Sequence, residues 1–319
     1  MNAPAHTAVP CLRAALHTRI EPPFATGLAN WLDRADLAGT LAGQQLAAAV
    51  AAHGQVPEAT FVASTLLDPS VTTSPQAVER FTTAFEAASG QRLHGLVNAY
   101  LCAGWGFVLR HAMRNTRLNR IALCIVDLDL HDLAWQLDHP VIGRAGFGMS
   151  SLLFDLPPAR ETLPDCGGPF ANSAFPEFVM ALRAHRAKHG LSPTFLPFTQ
   201  PALHGLAERV LGAHTLAPNH FARWGHCFGS DPWIGLVEWL THEPEFKRTD
   251  EPIRVLAGAI GFNGYYTVSA LDVDSDMTLS FHVLPGAQCA AATESSPFYQ
   301  PPFGRGATTD RVSFGAVLP

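Results

Sequence analysis

The chain has 319 residues, of which 47% are apolar and 15% charged, enough to bury one large core or two fused halves. Its net charge of -6, with no basic block or arginine-rich arm, excludes nucleic acid as an expected partner. The 6 cysteines, at positions 11, 102, 124, 166, 227 and 289, form no CxxC pair; neither a zinc site nor a disulfide framework is expected, and the usage suits a reducing cytoplasm. Met1 to Thr7 lacks the basic-then-apolar profile of a signal peptide, and no apolar run reaches the length of a membrane span.

Residues 10–30 carry only faint strand and loop signals, broken at Pro22-Pro23. Asp36 to His53 is rich in Ala and Leu at helical spacing, and Gly54 stops it. Ala59 to Ser64 reads as a short strand and Leu66 to Ser74 as a polar loop. Ser74 then caps a helix with Pro75 in its first turn, which runs to Ser89 and ends at Gly90. Leu96 to Leu101 is an apolar run that reads as a buried strand. Phe107, Val108, His111 and Ala112 follow at helical spacing.

Cys102 therefore falls where a strand hands over to a helix. Backbone N–H groups and the positive end of the helix dipole converge there, and a thiol so placed tends towards a reactive thiolate. Gly104 and Gly106 are expected to leave room for a substrate beside the sulfur. The competing reading is a buried structural cysteine, since free Cys is among the most buried residue types.

Arg120 to Asp129 is nearly all apolar and predicts a central strand with Cys124 in the core. Gly143 to Phe154 is a glycine turn feeding another strand, which argues against a phosphate loop, because no helix follows. Phe175 to His189 predicts a helix. His185 and His189 lie at i, i+4 on it, but the intervening Arg186 and Lys188 favour a solvated face over a metal pair. The grammar then repeats: a strand over Ser192 to Thr199, a helix from Pro201 to Leu211, a small-residue loop from Trp224 to Asp231, and a helix from Pro232 to Thr241 capped by Asp231. Arg254 to Phe262 and Tyr265 to Val273 predict a hairpin of core strands. After Asp274 helical periodicity gives way to Pro, Gly, Ser and Gln, and only Met277 to Leu284 reads as a further strand.

Five segments together resemble the thiolase and β-ketoacyl synthase superfamily, closest to the β-ketoacyl-acyl-carrier-protein synthase III-like group. They are Thr60 to Pro75, Val97 to Val108 around Cys102, Gly143 to Phe154, Trp224 to Ser230 around His226, and Gly258 to Gly264. The resemblance covers about Leu46 to Val273. It implies a duplicated, layered α/β/α/β/α fold with a C-terminal extension: residues 1–155 as the half carrying the cysteine, 156–273 as the half carrying the histidine loop, and 274–319 as the extension. It departs from the family at Phe198 and Thr199, where the first catalytic histidine is expected; His204 comes several residues later, inside the next helix.

What the resemblance implies for chemistry is a cysteine acyl-enzyme. Cys102 is the nucleophile and His226 its acid–base partner, a pair and not a full triad, with His204 a possible further member. The Cys102 N–H and one from the Gly261, Phe262 and Gly264 loop form the oxyanion hole. The substrate is an acyl thioester of coenzyme A or of a carrier-protein phosphopantetheine, with no further cofactor and no metal. With one histidine missing, plain acyl transfer is favoured over decarboxylative condensation. The relatives pair as dimers through the strand and helix that flank the nucleophile, here Gln91 to Asn98 and the segment after Cys102, so a homodimer, or a heterodimer with a related synthase, is expected. The alternative is a catalytically degenerate partner subunit of a heterodimeric ketosynthase. A metal hydrolase, suggested by 15 histidines, lacks any ligand spacing.

Overall fold

The structure is a computed structural model that describes residues 8–25, 28, 30–67, 74–131, 138–139, 142–170, 173–189, 193–242 and 252–289. The Met1 to Thr7 segment, most of the loop before Ser74, and residues 290–319 of the extension lie outside the described residues.

Among the described residues eleven strands and seven helices follow one another. The strands are β1 (Cys11–Glu21), β2 (Ala59–Ala63), β3 (Leu93–Val97), β4 (Arg120–Asp127), β5 (Asp138–His139), β6 (Gly143–Arg144), β7 (Phe147–Asp155), β8 (Asp165–Gly167), β9 (Thr194–Phe195), β10 (Ile253–Ile260) and β11 (Tyr266–Pro285). The helices are α1 (Trp31–His53), α2 (Pro75–Ser89), α3 (Gly104–Arg114), α4 (Ala174–His189), α5 (Pro201–Leu211), α6 (Phe221–Trp224) and α7 (Asp231–His242).

Local chemistry sets most helix ends. Ser74 caps α2 through its hydroxyl with Pro75 in the first turn, and Gly90 closes it at φ 66°. α1 begins at Trp31, ahead of the expected Asp36, because the Asn30 side chain accepts from Leu32 N–H and opens the helix earlier. Between β3 and α3 the expected unbroken strand is replaced by a 3₁₀ turn, Leu101–Ala103, and β3 already ends at Val97. The strand expected over Ser192 to Thr199 contracts to the two residues of β9.

β1 runs between β7, antiparallel, and β11, parallel, in a 9-stranded sheet of order β3-β2-β4-β7-β1-β11-β10-β9, with β8 also on β11. The faint signals over residues 10–30 thus conceal a central strand. In the first group β2 and β4 are parallel, β4 and β7 antiparallel, and β7 and β1 antiparallel. The second group repeats these senses: β9 and β10 parallel, β10 and β11 antiparallel, β11 and β8 antiparallel. β11 runs from Tyr266 to Pro285, so the chain beyond 273 continues within the sheet, and after a register shift Thr278 to Pro285 pair with β1 from Ala14 to Glu21.

The alternation of side chains along each strand divides the core into layers. On β4, Ala122, Cys124 and Val126 pack with α1 and α2 residues such as Leu41 and Phe81, while Ile121, Leu123 and Ile125 face inward. On β10, Val255 and Ala257 face inward, while Leu256 packs with Phe178 and Leu182 of α4 and Leu211 of α5. Between the two groups lie α3 and α7, joined by Trp105 and Trp233 at 4.9 Å, edge to face. β4 and β10 thus share one central core, and the sequence of layers is α/β/α/β/α.

Gly106 makes this central layer possible. A Cβ there would lie 1.7 Å from the buried Thr267 Oγ1, so α3 approaches β11 only without a side chain. The glycine serves helix–strand packing, which corrects the expectation that it clears space for substrate. Gly106→Ala is expected to lower stability by about 1–3 kcal/mol, the usual cost of overpacking. A urea midpoint equal to that of wild type would contradict it.

Candidate active site

Cys102 sits in the Leu101–Ala103 turn at the start of α3, and it is buried. The residue before it, Leu101, is held at φ 47°, an uncommon conformation for a γ-branched residue. Such strain persists only where surrounding structure imposes it. Here Asn98 O accepts from Leu101 N–H, Tyr100 O from Ala103 N–H, and Leu101 O from Gly104 N–H.

His226 comes from the far half. Its N–H donates to Arg144 O at 2.8 Å, and its carbonyl accepts from Gly146 N–H at 2.8 Å. This two-sided strap requires Gly225, at φ 74°, because a Cβ would lie 2.4 Å from Arg144 O. The glycine cluster read from Gly143 onward therefore holds the histidine loop in place. Phe228, at φ 53°, puts a second strained residue beside the site and lays its ring edge-on to His226 at 5.2 Å.

The two expected partners meet. His226 Nε2 is 3.8 Å from Cys102 Sγ. His226 Nδ1 lies 2.6 Å from Asp231 Oδ2 and 3.0 Å from Phe198 O. Placing the Nδ1 proton towards these acceptors leaves Nε2 to face the sulfur. Burial alone would lower the His226 pKa, but the charge and hydrogen bond of Asp231, assisted by Cys102, hold it well above the ordinary imidazole value. For Asp231 burial pushes the carboxyl upward, while the His226 charge, its hydrogen bond and backbone donors oppose this.

Asp231 was expected only as a helix cap. It is instead the first residue of α7, fully buried, with Oδ1 accepting from Cys227 N–H at 2.6 Å and Oδ2 beside the imidazole. Asp231 thus stands in line behind the expected pair, in the order Cys102, His226, Asp231. The sequence did contain a signal: an acid five residues beyond the histidine, directly before Pro232, in a segment otherwise free of charge.

Phe198 contributes through its backbone. Its carbonyl faces His226 Nδ1 at 3.0 Å. Its ring turns into the core, 5.5 Å from the His220 ring and beside Gly235. His204 lies in α5 with its ring 3.6 Å from Glu208, one turn further on, and is not among the side-chain contacts of Cys102 or His226.

The Gly261 to Gly264 loop packs against the nucleophile turn. A Cβ on Gly261 would lie 3.0 Å from Leu101 Cβ, and Asn263 Nδ2 donates to Ala99 O at 2.8 Å. The N–H groups of Gly261 and Gly264 are committed to Tyr265 O and Gly261 O. Phe262 is exposed, with its ring 5.1 Å from His139.

Two further polar groups reach the site, neither singled out from the sequence. Thr65 Oγ1 lies 3.7 Å from Cys102 Sγ as a donor. Asp127, at the end of β4, is buried behind it and accepts from Thr65 N–H at 2.6 Å. Leu66, Ile142, Ala145, Phe147 and Phe228 surround Cys102 as a separate apolar cluster. His185 and His189 stack at 5.7 Å and are partly buried, His185 lying 3.8 Å from Asp165, so their face is less solvated than expected. Among the described residues no group of three or more His, Cys, Asp or Glu is arranged to hold a metal ion. No helix there is long and apolar enough to cross a membrane.

No protein-family model matches the sequence, and no curated protein matches it. Among solved structures the chain is similar to the 3-oxoacyl-(acyl-carrier protein) synthase of Burkholderia xenovorans LB400, with a TM-score of 0.61 at 10% identity over 87% of this chain and 98% of that one. 3-Oxoacyl-(acyl carrier protein) synthase III, FabH, of Pseudomonas aeruginosa PAO1 has a TM-score of 0.56 at 13% identity over 84% and 99%. ChlB3, described as an acyltransferase, has a TM-score of 0.58 at 10% identity over 82% and 97%. The likeness establishes the fold: the chain has the thiolase-like fold of the synthase III structures.

Proposed function

We propose that this thiolase-like chain is an acyltransferase of fatty-acid, polyketide or secondary-metabolite biosynthesis that carries its acyl group on Cys102. The observation that carries the reading is the buried chain Cys102 Sγ, His226 Nε2, His226 Nδ1, Asp231 Oδ2, at 3.8 and 2.6 Å. His226 takes the thiol proton and Asp231 stabilises the imidazolium. The thiolate attacks the thioester carbonyl. Collapse of the tetrahedral adduct expels the carrier thiolate, which takes the proton from His226. In the second half-reaction His226 takes the proton of the acceptor as it attacks the acyl-enzyme. Cys102 leaves as thiolate and regains the proton. The N–H groups of Cys102 and Phe262 are the donors proposed for the oxyanion, since those of Gly261 and Gly264 are committed within their own turn.

Plain acyl transfer is favoured over decarboxylative condensation because Phe198 brings only backbone atoms to the site. Phe198→His is accordingly not expected to introduce decarboxylation, since the ring at that position points into the core. The substrate proposed is an acyl thioester of coenzyme A or a carrier protein, without another cofactor, in the reducing cytoplasm. The proposed halves are residues 1–155 and 156–273, meeting at Cys102 and His226. A homodimer through β3, which lies at one end of the sheet, or a heterodimer with a related synthase is part of the proposal. The degenerate-subunit reading is the alternative, and a complete triad speaks against it.

Incubation with a panel of acyl-CoA and acyl-carrier-protein donors, followed by intact-mass measurement and tryptic mapping, tests the proposal. The adduct is expected on the peptide spanning residues 93–110, in which Cys102 is the only cysteine. If no donor leaves an adduct, with or without a partner synthase, the degenerate-subunit reading replaces this one. His204→Ala should leave turnover within about twofold of wild type, as for a substitution away from the site. A large loss would return His204 to the machinery.

A further inference from the structure

We propose that Asp127 is a positioning residue that clamps the loop touching the sulfur and the turn behind the catalytic imidazole to one strand end. The inference rests on the proposed role of Cys102 as nucleophile.

The carboxylate works in two directions. Oδ1 accepts from Thr65 N–H at 2.6 Å, from Ser64 Oγ at 3.3 Å and from Leu66 N–H at 3.4 Å. Oδ2 accepts from Gly229 N–H at 3.2 Å. The first arm holds Thr65, whose hydroxyl lies 3.7 Å from Cys102 Sγ, and Leu66, which lines the apolar cluster around that sulfur. The second arm holds the turn Phe228–Ser230, which lies between His226 and Asp231 and contains the strained Phe228. One buried side chain thus ties both arms to the end of β4. Every partner is a neutral donor, so the charge is held by hydrogen bonds alone. Burial pushes this carboxyl up to about 6. A group that costs stability when ionised is better explained by placement of the site than by stabilisation of the fold.

The clamp requires an acceptor on both sides. Asparagine offers one oxygen and one NH₂, and the NH₂ must oppose either the Thr65 and Leu66 N–H groups or the Gly229 N–H. One arm is then released. Loosening an aligned site by about 1 Å can cost on the order of 100-fold.

The experiment is alkylation of Cys102 by iodoacetamide at fixed pH, read on peptide 93–110, beside kcat and KM for whichever thioester acylates the wild type. Asp127→Asn is expected to retain its near-ultraviolet circular dichroism and oligomeric state. Cys102 alkylation and kcat should both slow by about 10–100-fold, with KM little changed. Thr65→Val keeps the backbone N–H and the clamp but removes the hydroxyl from the sulfur; about tenfold slower alkylation is expected. A folded Asp127→Asn protein with wild-type alkylation overturns the inference. If Asp127→Asn does not fold, Asp127→Glu decides: it keeps both acceptor oxygens but carries them one methylene further from the end of β4, and wild-type alkylation in that variant overturns the inference. Because alkylation needs no acyl donor, the two failures separate. A response to these variants without any acyl adduct in the wild type refutes the acyltransferase reading alone. An adduct without any response refutes the clamp alone.

Discussion

Cys102→Ala is expected to abolish the proposed acyl adduct, and His226→Ala to slow its formation by about 10²–10⁴-fold, the usual worth of a positioned acid–base group. The two effects differ in kind. Without Cys102 there is no sulfur at the junction: Cys124 is enclosed in β4 with its thiol pushed up to about 12 by burial, and Cys227 is likewise buried with its pKa raised. Without His226 the thiol remains but loses the imidazole 3.8 Å away that is proposed to accept its proton. Single-turnover acylation followed by mass spectrometry reads both. An adduct of unchanged yield on another peptide in Cys102→Ala would refute the assignment of the nucleophile. An unchanged rate in His226→Ala would remove the histidine from the mechanism.

Asp231→Asn should reduce turnover by about 10²–10⁴-fold as well, although it touches neither the sulfur nor the substrate. In the proposed mechanism the carboxylate fixes the imidazole proton on Nδ1 and neutralises the imidazolium that forms. Asparagine supplies no charge, and burial then draws the His226 pKa down instead of up. Breaking a buried pair by removing one partner also costs about 3–5 kcal/mol of stability.

The pH dependence has a definite sign. In wild type the folded-state pKa of His226 is raised above 6.5. Its contribution to stability is therefore fully present below pH 6.5 and is lost as pH rises through the folded value. In Asp231→Asn the histidine prefers its neutral form when folded, so its contribution is lost as pH falls. The stability gap between the two proteins should widen towards acid from the raised value down through pH 6.5. Urea midpoints measured across that window check this; a gap that narrows towards acid would contradict the coupling.

The most legible parts of the sequence were those governed by neighbours in the chain. Ser74, Pro75 and Gly90 mark α2 because caps act within one turn. Continuous apolar character marked β4, and its period of two became visible only when α1 and α2 covered one face and α3 and α7 the other. The cysteine at the strand–helix junction and the histidine in a small-residue loop were both readable as chemistry, and their order along the chain carried the family resemblance. Their meeting at 3.8 Å was decided elsewhere, by straps from Arg144 and Gly146 lying 80 or more residues before the histidine. β1 gave little signal because its residues alternate between two buried faces and include His17 and Thr18, which only neighbouring strands enclose.

The sequence by itself determined the types of reactive group and the local turns that carry them, because each depends on spacings of a few residues, while the layered fold entered only through the family resemblance. The tertiary structure alone decided which groups act together. Asp231 reads as a cap until burial and an imidazole 2.6 Å away make it the partner of His226. Phe198 reads as a missing catalytic side chain until its backbone carbonyl is found 3.0 Å from His226 Nδ1. Asp127 reads as the end of a strand until donors from two distant loops converge on it. In each case the deciding quantity is the removal of a polar group from water beside a partner remote in sequence, and no local spacing encodes that.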